Sequence, residues 1–306
     1  MPIHFADRLA AAIDRKRTPA VVGIDPVVER LPESMRGRDP DPQAGAAAIE
    51  KFSAAVIERV APLVPAVKIN SGFFEVYHEH GVAAYYRLVA LAHSCGLLVI
   101  GDVKRGDIGS TAALYARGHL TAAGDERRIP DAVTIGGYLG RSGVDEFVRA
   151  ARISGRGVYV LVRPSDPTAD VIHEFGESRR LYQHLAQLVS EWGDATELRG
   201  ACGLSLVGAV VGPKDAAGTA ALRAMMPHTP WLVPGYGAQG AAAAATRACF
   251  LPGGTGAVIN ASRSVIYAYE DPRHMVRGAA WEDCVVAACR EFAAEAAALA
   301  GISGAG

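Results

Sequence analysis

The chain has 306 residues, half of them hydrophobic, which suffices for one large α/β barrel or for two smaller domains with sizeable cores. A formal net charge of -1 and a pI near 6.8 give no sign of a nucleic-acid-binding surface or an acidic tail, so we expect a small-molecule ligand. The five cysteines contain no C-x-x-C pair, and no apolar run approaches the roughly 20 residues of a membrane span. We therefore expect a cytoplasmic protein that is neither exported nor bound to a membrane.

In chain order, an amphipathic N-terminal helix is followed by short apolar runs that alternate with alanine-rich helical stretches. The runs predicted as strands are AVVGID, AVKIN, LLVIGDV, AVTIG, VYVLVR, GAVVG, WLVPG and GAVINA. After the first run, Ile49, Phe52, Val56 and Val60 recur at spacings of three and four, as on one buried helix face. Strands alternating with helices in this way favour a single (β/α)8 TIM barrel over residues 1–306, with a doubly wound parallel sheet as the alternative.

Two segments depart from this alternation. Residues 164–180 follow the fifth predicted strand and are rich in Pro, Asp, Ser and Gly, which predicts an ordered loop that acts as a lid. The C-terminal stretch AAEAAALAGISGAG ends in small residues and is predicted to fray.

Charged residues are concentrated in the stretch GDVKRGDIGST, where the third predicted strand ends. Alternate side chains of a strand share a face, so Asp102 and Lys104 point one way and Val103 the other. A glycine then breaks the strand, which lets Asp107 return towards the same pocket, and Lys68 in AVKIN is expected at an equivalent level of the barrel. These residues form either a solvated, mutually paired rim or an active array at the strand ends.

The motifs VVGIDP, VKINSGFFEVY, DVKRGDIGSTA, VRPSDP, PGYGAQG and INASRSVIYA follow one another in an order and spacing that favours the second interpretation. They resemble the orotidine 5'-phosphate decarboxylase family, in its bacterial branch with the KRGDIG motif. The resemblance touches nearly every strand end from Gly23 to Ala268. It implies a (β/α)8 barrel homodimer with shared active sites. It further implies conversion of orotidine 5'-phosphate to UMP and carbon dioxide in pyrimidine biosynthesis, without a metal ion or organic cofactor.

The resemblance also implies catalytic roles for the charged residues. Lys104 stabilises the carbanion at C6 of the pyrimidine and then protonates it, while Asp102 lies beside the departing carboxylate. Lys68 and Asp107 hold the array in register, with Asp107 reaching into the site of the neighbouring subunit.

Substrate-binding residues are implied at other strand ends. They are Asp25 at a ribose hydroxyl, Thr111 near the ribose of the neighbouring subunit, Ser165 at the pyrimidine, Gln239 and Arg263 at the phosphate, and Asn70 as a further lining residue. Without the resemblance, an acidic cap or a helix cap explains Asp25 and Thr111 about as well, and Ser165 is typical of a turn.

The phosphate assignment also has support from spacing. Gly235, Gly237 and Gly240 have the G-x-G-x-x-G spacing of dinucleotide-binding folds, after a strand and before a helix. The acidic residue expected about 20 positions later is missing, because none occurs before Glu270. A mononucleotide phosphate after the seventh and eighth strands fits this pattern better, with Arg263 as an always-charged donor.

Three other functions stay open from sequence. A related metal-dependent decarboxylase of sugar phosphates has a similar D-x-K-x-x-D motif, although His78 and His80, two positions apart, do not share a helix face that could bind a metal. A Schiff-base aldolase needs a lysine of lowered pKa, whereas Lys68 and Lys104 lie among carboxylates that favour their charged forms. A non-catalytic nucleotide-binding protein would bind UMP and release no carbon dioxide.

Overall fold

The architecture is a closed barrel of eight parallel strands in the order β1 to β8, in a computed structural model that describes residues 2–36, 41–121, 124–235, 243–275 and 280–302. The predicted (β/α)8 TIM barrel is confirmed, and the doubly wound sheet is excluded. Every predicted apolar run contains a strand. The strands are β1 Ala20–Ile24, β2 Ala66–Asn70, β3 Leu98–Arg105, β4 Ala132–Ile135, β5 Gly157–Arg163, β6 Val207–Val211, β7 Trp231–Val233 and β8 Ala257–Ala261.

Helices surround the barrel and connect its strands. Among the described residues they are α1 Phe5–Lys16, α2 Pro42–Val60, α3 Gly72–Glu75, α4 His78–Ser94, α5 Gly109–Leu120, α6 Arg141–Ser154, α7 Asp170–His173, α8 Leu181–Trp192, α9 Ala216–Met225, α10 Ala243–Arg247, α11 Arg263–Ile266 and α12 Trp281–Ala300. Helix α2 begins where the Asp41 side chain accepts a hydrogen bond from the Ala44 N–H, with Pro42 in its first turn. Its predicted face at Ile49 and Phe52 is fully buried.

The N-terminal end of the barrel is filled by apolar side chains. One layer inside the barrel consists of Val21, Ala66, Ile100, Ala132, Tyr159, Leu232 and Val258. Phe5 and Leu9 of α1 pack against this layer, so the amphipathic helix predicted at the N-terminus closes the bottom of the barrel. The Phe5 ring meets the Tyr159 ring edge-on, with 6.0 Å between ring centroids.

Towards the C-terminal ends of the strands the interior becomes polar. Lys68, Asp102, Thr134 and Asn260 are all buried there, on β2, β3, β4 and β8. Unpaired polar groups are costly to bury, and this end is where barrels of this kind place their ligand sites. The change in polarity therefore marks the functional end of the barrel.

The segment predicted as a lid, residues 164–180, contains a 3-10 turn at Pro167–Ala169 followed by α7. Ionic contacts tie it to the barrel, because Glu174 accepts hydrogen bonds from Arg163 at 2.9 Å and from Lys214 at 3.4 Å. Most of the C-terminal stretch predicted to fray is helical instead, since α12 extends to Ala300 with Phe292 and Leu299 buried. Residues 303–306 lie outside the described part of the chain.

Candidate active site

Three charged side chains form a line of alternating sign at the mouth of the barrel. Lys68 Nζ donates to Asp102 Oδ2 at 2.7 Å, and Lys104 Nζ donates to Asp102 Oδ1 at 2.5 Å. Lys68 Nζ also lies 3.9 Å from Asp25 Oδ1. Lys68 and Asp102 are buried, whereas the Lys104 side chain is 52% exposed. The outer ammonium is thus the one that a ligand can reach.

The strand register explains how these side chains meet. Asp102 and Lys104 point into the barrel mouth, and Val103 is buried in the outer core, as the alternation of strand side chains predicts. As expected, Lys68 lies at the level of Asp102: each follows by two residues a member of the apolar layer, Ala66 or Ile100, and the two side chains meet. Because neighbouring strands of a barrel are staggered, the hydrogen-bonded register pairs Lys68 with Ile100 and Asn70 with Asp102.

The mutual pairing of these groups fixes their charges. Burial by itself raises the pKa of Asp102, but the ammonium groups of Lys68 and Lys104 outweigh it and hold that pKa well below its usual range. Burial likewise lowers the pKa of Lys68, and the charges of Asp25 and Asp102 more than compensate, so the net shift is upward. An ionised Asp102 beside a charged Lys68 is therefore the resting state at neutral pH.

Thr134 on β4 joins this array, and sequence reasoning missed it. Its hydroxyl donates to Asp102 Oδ1 at 2.9 Å and accepts a hydrogen bond from the Lys104 backbone N–H at 3.0 Å. The available signal was a polar residue in the otherwise apolar run AVTIG, at a position whose side chain points into the barrel.

The array lies in an open cavity of about 380 Å³. Of the residues predicted for the site, the cavity is lined by Asp25, Lys68, Asn70, Asp102, Lys104, Ser165 and Arg263. Arg263 is the first residue of the short helix α11 that follows β8, where the sequence predicts a phosphate site. Gln239 lies outside the described residues.

Asp107 and Thr111 do not line this cavity. The Asp107 carboxylate accepts a hydrogen bond from the N–H of the next residue, Ile108, and Thr111 is exposed near the start of α5. Both lie beyond the end of β3 and outside the lining of the cavity that holds the charged array.

Several polar atoms at the cavity have no hydrogen-bond partner among the described residues. These are Asp25 Oδ1, Asn260 Oδ1 and Ser262 Oγ, all buried. Asn260 and Ser262 were not predicted from sequence, although both lie in the motif INASRSVIYA. Buried polar atoms usually have partners, and the acceptor oxygens of Asp25 and Asn260 suit hydroxyl groups of a ligand, whereas the Ser262 hydroxyl can also donate to a phosphate.

The donor set does not resemble a metal site. Within the described ranges no group of three or more His, Cys, Asp or Glu side chains is arranged to hold a metal ion. Asp102 has its two oxygens occupied by ammonium groups and a hydroxyl, and two neighbouring positive charges repel a cation.

In the same described ranges, no helix is long and apolar enough to cross a membrane.

Comparison with known proteins agrees with this geometry. Residues 12–279 match the family described as Orotidine 5'-phosphate decarboxylase / HUMPS. The chain is 38% identical to an orotidine 5'-phosphate decarboxylase of Rhodopirellula baltica, over 93% of this chain and 96% of that protein. A second relative, from Deinococcus radiodurans, is also 38% identical, with coverages of 86% and 89%.

A solved structure agrees as well. Leishmania donovani OMP decarboxylase has a TM-score of 0.74 with this chain at 26% identity, covering 98% of this chain and all of that one. The barrel, the charged array at its mouth and these similarities lead to one conclusion: the chain belongs to the orotidine 5'-phosphate decarboxylase family.

Proposed function

We propose that this protein converts orotidine 5'-phosphate to UMP and carbon dioxide, a step of pyrimidine biosynthesis, and that it does so without a metal ion or organic cofactor. The observation that carries this proposal is the Lys68–Asp102–Lys104 array in a cavity that also presents Arg263. Family membership supplies the substrate, and the array supplies the charges that the reaction needs.

The chemistry requires stabilisation of an unusual carbanion. When the bond between C6 and the carboxylate breaks, its electron pair remains on C6 with little resonance stabilisation. The Lys104 ammonium stabilises that pair electrostatically and then gives C6 its proton, so that UMP forms and Lys104 is left neutral until it regains a proton from solvent. No electron acceptor is needed, because nothing is oxidised.

Asp102 contributes a fixed negative charge near the departing carboxylate. Two like charges about 4 Å apart repel by ~4 kcal/mol at an effective dielectric constant near 20, and loss of carbon dioxide relieves that repulsion. The two lysines keep Asp102 ionised, because they hold its pKa low. Lys68 thereby positions the charge of Asp102 and need not touch the reacting atoms.

The remaining cavity residues bind the rest of the nucleotide. Asp25 has a buried oxygen available for a ribose hydroxyl, and Ser165 lies in the loop after β5, where it contacts the pyrimidine. Arg263 binds the phosphate with a permanently charged guanidinium, together with Gln239. The lid segment 164–180 carries Ser165 and closes over the base.

We further propose a homodimer in which Asp107 and Thr111 complete the site of the neighbouring subunit. Large apolar side chains are exposed on this side of the barrel. They are Ile108, Leu114, Tyr115, Tyr138 and Leu139. All five belong to α5 or to the turns before α5 and α6, and these two helices pack against each other, so the exposed apolar groups support an interface on the side of Asp107 and Thr111. The five unpaired cysteines accord with a reducing compartment, and we assign the protein to the cytoplasm.

The test is the loss of orotidine 5'-phosphate absorbance after adding EDTA-treated protein. We expect turnover without added metal, and UMP and carbon dioxide as the only products. Activity that depends on magnesium would favour a metal-dependent sugar-phosphate decarboxylase. Covalent trapping by borohydride would favour an aldolase. UMP binding without carbon dioxide release would leave a nucleotide-binding protein.

A further inference from the structure

The β3–β4 pairing is irregular at the catalytic strand. Gly101 pairs with Val133 and Arg105 with Ile135, so the three β3 residues between these pairs lie opposite a single β4 residue, Thr134. Regular pairing stops at Gly101 and resumes at Arg105. The intervening β3 residues, which include Asp102 and Lys104, therefore bulge out of the regular ladder.

Lys104 has an uncommon backbone conformation within this bulge. Its φ angle is +44°, in the left-handed region that side-chain-bearing residues seldom adopt. Such a conformation persists where surrounding contacts hold it, and it occurs most often at functional sites. Something in the structure must therefore hold the Lys104 backbone in place.

The Thr134 hydroxyl is in a position to do so. It accepts the hydrogen bond of the Lys104 N–H at 3.0 Å, so this backbone donor bonds to a side chain. It donates its own proton to Asp102 Oδ1 at 2.9 Å, and the same oxygen accepts a hydrogen bond from Lys104 Nζ at 2.5 Å. These three bonds form a closed ring in which Lys104 takes part twice, through its backbone and through its ammonium.

We propose that Thr134 is a positioning residue for decarboxylation, because its hydroxyl fixes the backbone of Lys104 and the carboxylate of Asp102 relative to each other. This inference rests on the proposed function. Thr134 lines the cavity but is only 1% exposed, and its hydroxyl already acts as both donor and acceptor within the ring. Small errors in the placement of catalytic groups reduce rates strongly, so we expect the ring to act on turnover more than on nucleotide binding.

The experiment compares Thr134→Val, which keeps the side-chain shape and removes the hydroxyl, with Thr134→Ser, which keeps the hydroxyl. We expect Thr134→Val to lower kcat about 10- to 100-fold, the loss typical of a hydrogen bond to a charged group. We expect UMP affinity to stay within about threefold, because Thr134 acts through Lys104 and Asp102 on the reacting centre. Thr134→Ser should recover most of the wild-type kcat.

Thr219→Val is the matched control, since Thr219 is equally buried and lies on α9 away from the site, where its hydroxyl has no hydrogen-bond partner among the described residues. It should leave kcat unchanged. If Thr134→Val does not fold, Thr134→Ala removes the same hydroxyl and is compared with Thr134→Ser in the same way.

The outcomes separate this inference from the proposed function. Wild-type protein that does not consume orotidine 5'-phosphate contradicts the proposed function. Active wild-type protein together with a Thr134→Val variant that keeps its kcat contradicts the positioning role alone. A thermal unfolding temperature that falls in Thr134→Val and Thr134→Ser alike, with kcat unchanged in both, would assign Thr134 to strand packing and overturn the inference.

Discussion

The two ends of the barrel are lined by side chains of opposite polarity. At the C-terminal end a cavity of about 380 Å³ presents two lysines, three aspartates and an arginine. At the N-terminal end, beneath the apolar layer, a smaller cavity of about 160 Å³ is lined mainly by apolar residues such as Leu9, Ile13 and Val258. Apolar burial stabilises a fold, whereas buried ion pairs contribute little net stability. We infer that the N-terminal end mainly stabilises the fold and that the C-terminal end carries the function. Substitutions at the N-terminal end should therefore change the free energy of unfolding, and those at the C-terminal end should change activity.

The largest effect is expected from Lys104→Ala at the mouth. Removing the proton donor and the stabilising charge should lower kcat by about 10⁴-fold or more, with the fold and much of the UMP affinity retained. Steady-state turnover, UMP titration and circular dichroism measure these three properties. Lys51→Ala, an exposed lysine on α2, is the control. Turnover within tenfold of wild type would rule out the role assigned to Lys104.

Mixing two inactive variants tests whether each active site contains residues of both subunits. Lys104→Ala and Asp107→Ala proteins should each be inactive, but a heterodimer combines both lesions in one site and leaves the other site intact. Statistical exchange makes half of the dimers mixed, so activity should return to about a quarter of the wild-type value. Assays after subunit exchange, with the heterodimer fraction verified by differently tagged chains, provide the measurement. Inactive heterodimers would place Asp107 within its own subunit.

Arg263→Ala should weaken substrate capture and spare the fold. Loss of a charged hydrogen-bond donor to phosphate is expected to cost about 2 to 4 kcal/mol of binding free energy. Added phosphite should partly restore turnover of the phosphate-free nucleoside, since remote binding energy assists closure. Arg290→Ala, an exposed change on α12, is the control. An unchanged preference for UMP over uridine would move the phosphate site elsewhere.

At the N-terminal end of the barrel, Leu9→Ala should lower the stability of the fold and leave turnover unchanged. Leu9 is 5% exposed and packs on the apolar layer, so its truncation should lower the free energy of unfolding by about 2 to 4 kcal/mol. The kcat of the folded fraction should not change. Urea unfolding and steady-state kinetics on the same preparation test both statements. A large fall in kcat at full folding would show that the two ends are coupled.

The smallest effect concerns His93, a polar group near the bottom. Its Nδ1 faces the Arg127 carbonyl at 2.7 Å and its Nε2 faces Asp131 at 2.9 Å, so both ring nitrogens meet acceptors. Burial, the largest single cause, lowers the pKa of His93, but the hydrogen bond to Asp131, the charge of Asp131 and the bond to the Arg127 carbonyl together outweigh it, and the net shift is upward even with Arg156 opposing it. Arg8 also pairs with Asp131.

A raised pKa in the folded state means that His93 stabilises the protein below the pKa of the unfolded state. That contribution disappears as the pH rises through the folded-state pKa. His93→Gln should therefore cost about 1 to 2 kcal/mol at pH 6 and less at pH 9, measured by urea unfolding. His184→Gln, at an exposed position, should show no such trend. A cost that is equal at both pH values would contradict the assigned charge.

Much of the fold could be predicted because local and global signals agree. Each strand is a short apolar run, and buried helix faces such as that of α2 follow helical spacing. Fraying of the C-terminal stretch AAEAAALAGISGAG was predicted wrongly as far as Ala300, because a run of alanines gives little amphipathic contrast, although Ala296 and Leu299 do bury one side of it.

The site was predicted less completely, for geometric reasons. Alternation on β3 correctly places Asp102 and Lys104 together, and Lys68 meets Asp102 as expected, but the approach of Lys68 to Asp25 depends on strand pairing in the closed barrel and is not visible in one strand. Thr134 escaped prediction because its importance depends on a bulge between two strands. Asn260 and Ser262 escaped because only the closed barrel turns their side chains towards the same cavity as Asp25.

The floor that α1 and the apolar layer put across the barrel has a consequence for the order of events. Because the bottom is closed, the cavity opens only at the C-terminal end of the barrel, where we propose that the nucleotide binds. In the proposed reaction, carbon dioxide would therefore leave through the same opening that admits the nucleotide. While the gas remained in the cavity, the proposed C6 carbanion would be able to recapture it and regenerate the substrate. The closed bottom would thus make recombination compete with proton transfer, and rapid proton transfer from Lys104 would favour the forward reaction.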